Sequence, residues 1–345
     1  MRLARKPLLA ALTLSGALLL SACSGSGSPS SNGGSGGGAA GFPVTVDHAY
    51  GSTVIPAKPT RAATVAWGNQ DVALALGVVP VGMPAVTFGD DNGDGILPWV
   101  QGKLDELGGK PPKLFDEVDG INFEQVADTA PDVILGANSG MSKKDYQTLS
   151  EIAPTIAFPD QPWLLDWREA TTLDGTALGL KDEAGKLVAH TEDTIAKAAA
   201  AHPELRGKTV AYIWVDPTDK SSVYVYLSDD ARVSFLHDLG MKDSDGVKKL
   251  SAQNKGKFFA TVTAENIDVL SDADVLVDYG TPGSLPAMQA DPLLGALPAV
   301  RAGAVAIVDQ TQPIAAATTT PTVLSIPWGI DEYTRLLADA AAKAQ

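Results

Sequence analysis

Residues 162–180 read Pro162-Trp-Leu-Leu-Asp-Trp-Arg-Glu-Ala-Thr-Thr-Leu-Asp-Gly-Thr-Ala-Leu-Gly-Leu180, and this stretch decides how the rest of the chain divides. Asp166 followed by Glu169 has the spacing of a capping box. Trp167, Ala170, Leu173 and Ala177 recur at helical spacing, and Gly179 offers a stop. The pattern predicts one helix over 166–178, about 20 Å long at 1.5 Å per residue. The chain follows the same plan on either side of it, so this helix is expected to be the strut between two lobes.

Before the strut, an apolar strand over 64–66 ends in Trp67, a helical run closes at Leu76-Gly77, and Asn122-Phe-Glu-Gln opens a helix leading to Asp132-Val-Ile-Leu135. After it, Val210 to Ile213 ends in Trp214, a helical run closes at Leu239-Gly240, and Thr263-Ala-Glu-Asn opens a helix leading to Asp274-Val-Leu-Val277. Alternating strands and helices argue for α/β lobes with parallel sheets and a ligand at the carboxyl ends of the strands. The expected fold is two parallel-sheet α/β lobes joined by a single rigid helix, with the ligand cleft between them. Residues 42–163 form the N-terminal lobe, 164–203 the interlobe helix and the one that follows it, and 204–345 the C-terminal lobe.

The first 22 residues are an export signal: Arg2, Arg5 and Lys6 precede an apolar run from Leu8 to Leu20 that is too short for a lasting membrane span. Leu20-Ser21-Ala22-Cys23 then matches a bacterial lipobox, and Cys23 is the only cysteine of 345 residues. Acylation of Cys23 would anchor the mature chain to the extracytoplasmic face of the cell membrane. Residues 23–41 are a Ser/Gly tether. Within it, Gly33–Gly37 imitates a hydrolase elbow and Gly36–Gly41 a dinucleotide fingerprint, but neither follows a strand or opens a helix.

With 41 acidic against 26 basic residues and a net charge of −15, the chain is a poor partner for nucleic acid. Asp90, Asn92, Asp94 and Gly95 resemble the start of a calcium loop, yet Gln101 stands where the bidentate Glu belongs, so a solvated turn is expected. The four histidines, His48, His190, His202 and His237, are scattered, and no metal site is assigned. No catalytic triad, zinc helix or carboxylate pair is picked out, so an exported hydrolase is only a remote alternative.

Several motifs carry a family resemblance in their order: the lipobox; His48-x-x-Gly51 through Pro59-x-Arg61; Leu76-Gly77-Val-Val-Pro-Val-Gly82; Asn122-Phe-Glu-Gln with Pro131-Asp-Val-Ile134; Ser139-Gly140; Ile152-Ala-Pro-Thr155; Pro162-Trp163; Arg232-x-x-Phe-Leu-x-x-Leu-Gly240; and Leu297-Pro-Ala-Val-x-x-Gly303. Together they resemble the substrate-binding lipoproteins of iron-siderophore ABC importers over nearly all of residues 43–340. The resemblance implies a monomeric, non-enzymatic receptor that binds a ferric siderophore and delivers it to an ABC permease dimer. Haem or cobalamin is the alternative ligand within the same fold. Iron enters only as part of the bound chelate, and no cofactor is implied.

Flat rings suit a bulky chelate, and Arg or Tyr can donate to its oxygens. The expected ligand-binding residues are Trp67, Ser139, Trp163, Trp214, Tyr226, Arg232 and Tyr279. The resemblance further assigns Glu124 and Glu265, one exposed glutamate per lobe, to docking on the permease. A dipole role at the helix start is the competing reading. The residues leave the siderophore class open.

Overall fold

The computed structural model describes residues 41–344 except positions 217 and 220. The signal segment, Cys23 and the tether up to residue 40 lie outside the described residues. A hairpin of β1 (Val44–His48) and β2 (Gly51–Ile55) leads in, and its Val46 and Ile55 are buried against the N-terminal lobe. That lobe is built on β3 (Ala62–Thr64), β4 (Gly82–Pro84), β5 (Lys113–Phe115), β6 (Val133–Leu135) and β7 (Thr155–Ile156). Its helices are α1 (Asn69–Ala75), α2 (Pro98–Leu107), α3 (Phe123–Asp128) and α4 (Lys143–Ser150). The strands pair in the order β5-β4-β3-β6-β7, all parallel. Every residue of β3 and β6 is buried, as expected of parallel strands covered on both faces. The order reverses at β3 and β6, so a crevice opens beyond their carboxyl ends.

Two helices follow, α5 (Trp167–Ala177) and α6 (Lys181–Ala201). The C-terminal lobe comprises β8 (Thr209–Val215), β9 (Ser222–Tyr226), α7 (Ala231–Asp238), β10 (Lys242–Asp243), α8 (Asp245–Gln253), β11 (Phe259–Thr263), β12 (Val275–Gly280), α9 (Ser284–Ala290), α10 (Pro298–Ala302), β13 (Val305–Asp309), α11 (Pro313–Thr319) and α12 (Ser325–Ala341). Its sheet runs β11-β9-β8-β12-β13, with β10 beside β8. Among the described residues no helix is long and apolar enough to cross a membrane.

The two-lobed α/β fold stands, with three corrections. The second sheet is mixed, because β9 runs antiparallel to both β8 and β11. The six positions between Val215 and Ser222 are too few for a parallel crossover. The helix read over 166–178 is α5, but it is not the strut: it lies along the N-terminal lobe against α1, β1 and β6, and reaches α7 only from its first turn. The crossing is made by α6, 21 residues long, which packs on α5 at one side and on α7 and α12 at the other. Finally, Ala264–Leu270 is a kinked 3-10 turn rather than an α-helix, and the Thr263 hydroxyl accepts from Asn266 Nδ2 instead of capping it.

The lobes also share one core. Val72, Leu74, Met83 and Trp99 of the first lobe are buried in the same cluster as Tyr212, Val277, Tyr279 and Tyr333 of the second. The start of α12 and the chain before it press back onto the first lobe, where Trp328 of α12 lies 5.1 Å from Trp99 between ring centroids. Asp71 sits at that seam. Its Oδ2 accepts from Trp99 Nε1 at 2.7 Å and from Thr322 Oγ1 at 2.5 Å, while Oδ1 has no partner. Burial pushes the Asp71 carboxyl up to about 6, with the Thr322 and Trp99 hydrogen bonds opposing.

A raised carboxyl means that the fold favours the protonated form. Its stabilising effect is full below the unfolded value of 3.8 and is lost as pH rises to about 6. At roughly 1.4 kcal/mol per pH unit the loss amounts to about 3 kcal/mol. Asp71→Asn keeps the accepting oxygen and offers Gln70 Oε1, itself unpartnered, a donor. Denaturation at pH 4 and pH 7 should show the variant gaining about 2 kcal/mol on wild type at the higher pH, since at pH 4 part of the loss has already occurred; equal pH slopes for the two proteins would rule this origin out.

Candidate ligand-binding site

The crevice of the first lobe is organised by two buried asparagines that pair reciprocally. Asn69 Nδ2 donates to Asn138 O at 3.1 Å, and the Asn138 amide donates to Asn69 Oδ1 at 2.9 Å. Asn138 Nδ2 also donates to Trp67 O at 2.9 Å. The ends of β3 and β6 are thereby tied together, and Trp67 leaves the sheet at a set angle. Two non-glycine residues take left-handed backbone here, Ala66 at φ 59° and Trp163 at φ 63°, each costing about 1–3 kcal/mol. The Ala66 amide donates to Glu117 Oε2 at 2.9 Å, and the Trp163 amide donates to Ser139 O at 3.2 Å. Gly140 is required beneath Trp163, since a Cβ there would lie 2.1 Å from the indole Nε1.

The strained turns place two indoles in the open. Trp67 is 46% and Trp163 38% exposed, whereas Trp99 and Trp167 are 6% and 4% exposed. Their rings meet edge to face with centroids 6.5 Å apart, and Trp67 stacks on Phe88 at 6.3 Å. Phe88 in turn touches Tyr279 of the second lobe at 6.4 Å, and Tyr279 packs against Tyr212 and Tyr226. A row of aromatic rings in contact therefore runs from one lobe to the other.

Arg232 stands at its far end. The guanidinium lies 3.8 Å over the Tyr226 ring, and Nε lies 2.7 Å from Asp230 Oδ1, an ion pair whose angle leaves the Nε–H without an aligned acceptor. Asp230 caps α7 by accepting from the Arg232 amide at 3.0 Å. Burial raises the Asp230 carboxyl to about 6 against the pull of Arg232, so the pair is ionised at neutral pH. Burial likewise pushes Tyr226 up to about 12, and its hydroxyl stays protonated. The other end of α7 is clamped to α5, where Arg168 makes two hydrogen bonds to Asp238, at 2.9 and 3.1 Å.

Two cavities open on this surface and share Trp67 and Trp163 as their common wall. One, of about 500 Å³, is walled by the first lobe, including Phe88, Glu117, Val118, Met141 and Asp145. The other, of about 340 Å³, is walled by Asn138, Tyr226, Asp230, Arg232, Phe258 and Thr319. Their sizes fall in the range of small-molecule sites. Glu117 has its Oε1 unpartnered, and burial pushes its carboxyl up to about 7, with the Ala66 hydrogen bond opposing.

Of the expected ligand residues, Trp67, Trp163, Tyr226 and Arg232 converge on these cavities. Tyr279 lies beneath them, buried, with its hydroxyl bonded to Thr319 Oγ1. Ser139 does not face the cleft: it is fully buried and its Oγ donates to Gly136 O at 2.7 Å, so only its carbonyl helps, by holding Trp163. Trp214 lines neither cavity, because it packs at 5.1 Å on Tyr224 near the end of β8. Phe88, Glu117, Tyr212, Asp230 and Phe258 escaped the sequence reading. Tyr212 stands two residues before Trp214 on β8 and so shares its face; Phe88 was passed over for the acidic loop that follows it.

That loop closes on itself, since Asp90 accepts from the amides of Gly93 and Gly95, both at 2.8 Å. Among the described residues no group of three His, Cys, Asp or Glu side chains is placed to hold a metal. Glu124 and Glu265 are both exposed. Glu124 lies in the first turn of α3, in the segment that follows β5, and Glu265 lies directly after β11.

Known proteins share this fold. The sequence profile of the family described as periplasmic binding protein matches residues 63–311. The crystal structure of Streptococcus pneumoniae TIGR4 PiaA in complex with ferrichrome is 42% identical, with a TM-score of 0.84 over 88% of this chain and 100% of that one. A periplasmic solute binding protein from Mycobacterium smegmatis is 28% identical, with a TM-score of 0.71 over 86% and 98% of the two chains. The probable siderophore-binding lipoprotein YfiY of Bacillus subtilis (strain 168) is 29% identical over 67% of each sequence.

Proposed function

The chain belongs to the periplasmic binding protein family, and from that premise we propose that it is a lipid-anchored extracytoplasmic receptor that binds a ferric siderophore and passes it to an ABC importer. One observation carries the reading: the two cavities joined at the Trp67–Trp163 wall, with Arg232 at one end of a row of aromatic rings spanning both lobes. Rings accept the apolar faces of a chelate and its covalent frame, while the Arg232 guanidinium meets iron-bound oxygens. That PiaA holds ferrichrome, and that YfiY is named a siderophore-binding lipoprotein, supports both the ligand and the anchor at Cys23. No side chain is assigned a catalytic role, and iron arrives and leaves within its chelate.

Ligand binding should quench tryptophan emission, because Trp67 and Trp163 face the cleft. Titration with ferric siderophores, haem and cobalamin should give saturable quenching by a ferric siderophore. Trp67→Ala should weaken that binding roughly thirtyfold, about 2 kcal/mol for a stacked indole anchor. Saturation by haem or cobalamin alone, or an unchanged affinity in the variant, would count against the reading.

Glu124 and Glu265 are assigned to the permease, one contact for each subunit. Glu124, in the first turn of α3, contributes at most about 0.3–1 kcal/mol through the helix dipole. Glu265 opens a kinked 3-10 turn, where that role is weaker still. The double variant Glu124→Ala, Glu265→Ala should retain its melting temperature and ligand affinity but lose most uptake in cells. Wild-type uptake at equal protein levels would end the docking assignment.

A further inference from the structure

The charged groups around the cleft are few and unevenly signed. The larger cavity is lined by the carboxylates Glu117 and Asp145 and by no Lys, Arg or His. In the smaller one Arg232 is the only cation, and Asp230 lies against it at 2.7 Å. Among the lining residues there is therefore no positive charge to spare, and the side formed by the first lobe is acidic. Asp116 and Asp119, both exposed, flank the same loop, and the whole chain carries a net charge of −15.

Ferric chelates differ sharply in this respect. Three monoanionic hydroxamates cancel the charge of ferric iron, and a pendent ammonium then leaves the complex a monocation. Three dianionic catecholates leave it a trianion. A wall that carries carboxylates and no cation repels a trianion, tolerates a neutral chelate and attracts a cation.

We propose that Glu117 makes the cleft a charge filter, so that the receptor takes uncharged and monocationic ferric trihydroxamates and turns away anionic ferric catecholates. The inference rests on the siderophore reading above and narrows it to a ligand class. Glu117 acts from the wall, beside the indoles: Oε2 is occupied by the Ala66 amide, and Oε1 meets no donor from the protein that would neutralise it. Asp145 adds to the same field, but it is bonded to the Ser142 amide at 2.8 Å within its capping box. Glu117, whose Oε1 is buried without a partner, sets the sign.

The test compares ratios of affinity between chelates of different charge. Tryptophan quenching is titrated at pH 8, above the value of about 7 to which burial raises Glu117. The probes are a neutral cyclic ferric trihydroxamate, a linear ferric trihydroxamate bearing a free ammonium, and a ferric tris-catecholate. The trianion should bind at least about a hundredfold more weakly than the neutral chelate. In Glu117→Gln, which keeps the oxygen that accepts from Ala66, the preference for the cationic over the neutral chelate should fall severalfold, and discrimination against the trianion should relax in parallel. A merely structural Glu117 would weaken all three probes together and leave the ratios unchanged, which overturns the filter. Tight binding of the tris-catecholate by wild type overturns it as well, while leaving the receptor reading intact. If no chelate of any charge binds, the receptor reading fails and the filter falls with it.

Discussion

The meeting of Phe88 with Tyr279 is the contact on which the site depends, because it joins the rings of the two lobes beneath the cleft. A sheet edge alone offers a shallow crevice at the carboxyl ends of its strands. Here the rings leaving the first lobe continue into those standing on the second, and the shared core holds the two halves in register. A wide hinge motion would have to expose that core and break the Asp71–Thr322 hydrogen bond. The architecture thus favours a preformed cleft over one that assembles around its ligand.

Preformation has local costs, visible where the site is most exact in its geometry. Ala66 and Trp163 hold left-handed backbone, Glu117 and Asp230 are carboxyls raised by burial, and Arg232 is withdrawn from water. Each is compensated nearby, by the Asn69–Asn138 pair, by the amides that Glu117 and Ser139 hold, and by the stacking of Arg232 on Tyr226. The cleft thus carries strain and buried charge, while β3 and β6, one layer below, are fully buried and pair with each other. Such a division is expected where a rigid scaffold carries a binding site.

Much of this was legible in the chain. The repeated strand-to-tryptophan pattern located Trp67, and the alternation in β9 put Tyr226 on a face with its neighbours, because both rest on local periodicity. What local pattern could not show was direction and return. The antiparallel turn of β9 depends on the length of the loop before it, and the crossing passes to α6 because α5 is committed to the first lobe by its buried face. Ser139 misled because a serine beside glycine looks equally polar whether it faces solvent or closes a turn on Gly136. Phe88 and Glu117 gain their meaning only from partners distant in sequence, Tyr279 and Ala66.

The central claim is that a ferric chelate sits across the lobes against the indoles of Trp67 and Trp163, within reach of Arg232. Diffraction from crystals grown with a ferric trihydroxamate, collected at the iron absorption edge, tests it most directly. The account predicts one anomalous peak per chain in the cleft, between the Trp67–Trp163 wall and the guanidinium of Arg232. A peak held elsewhere on the surface, or a cleft that stays free of iron while the crystals contain it, would contradict it.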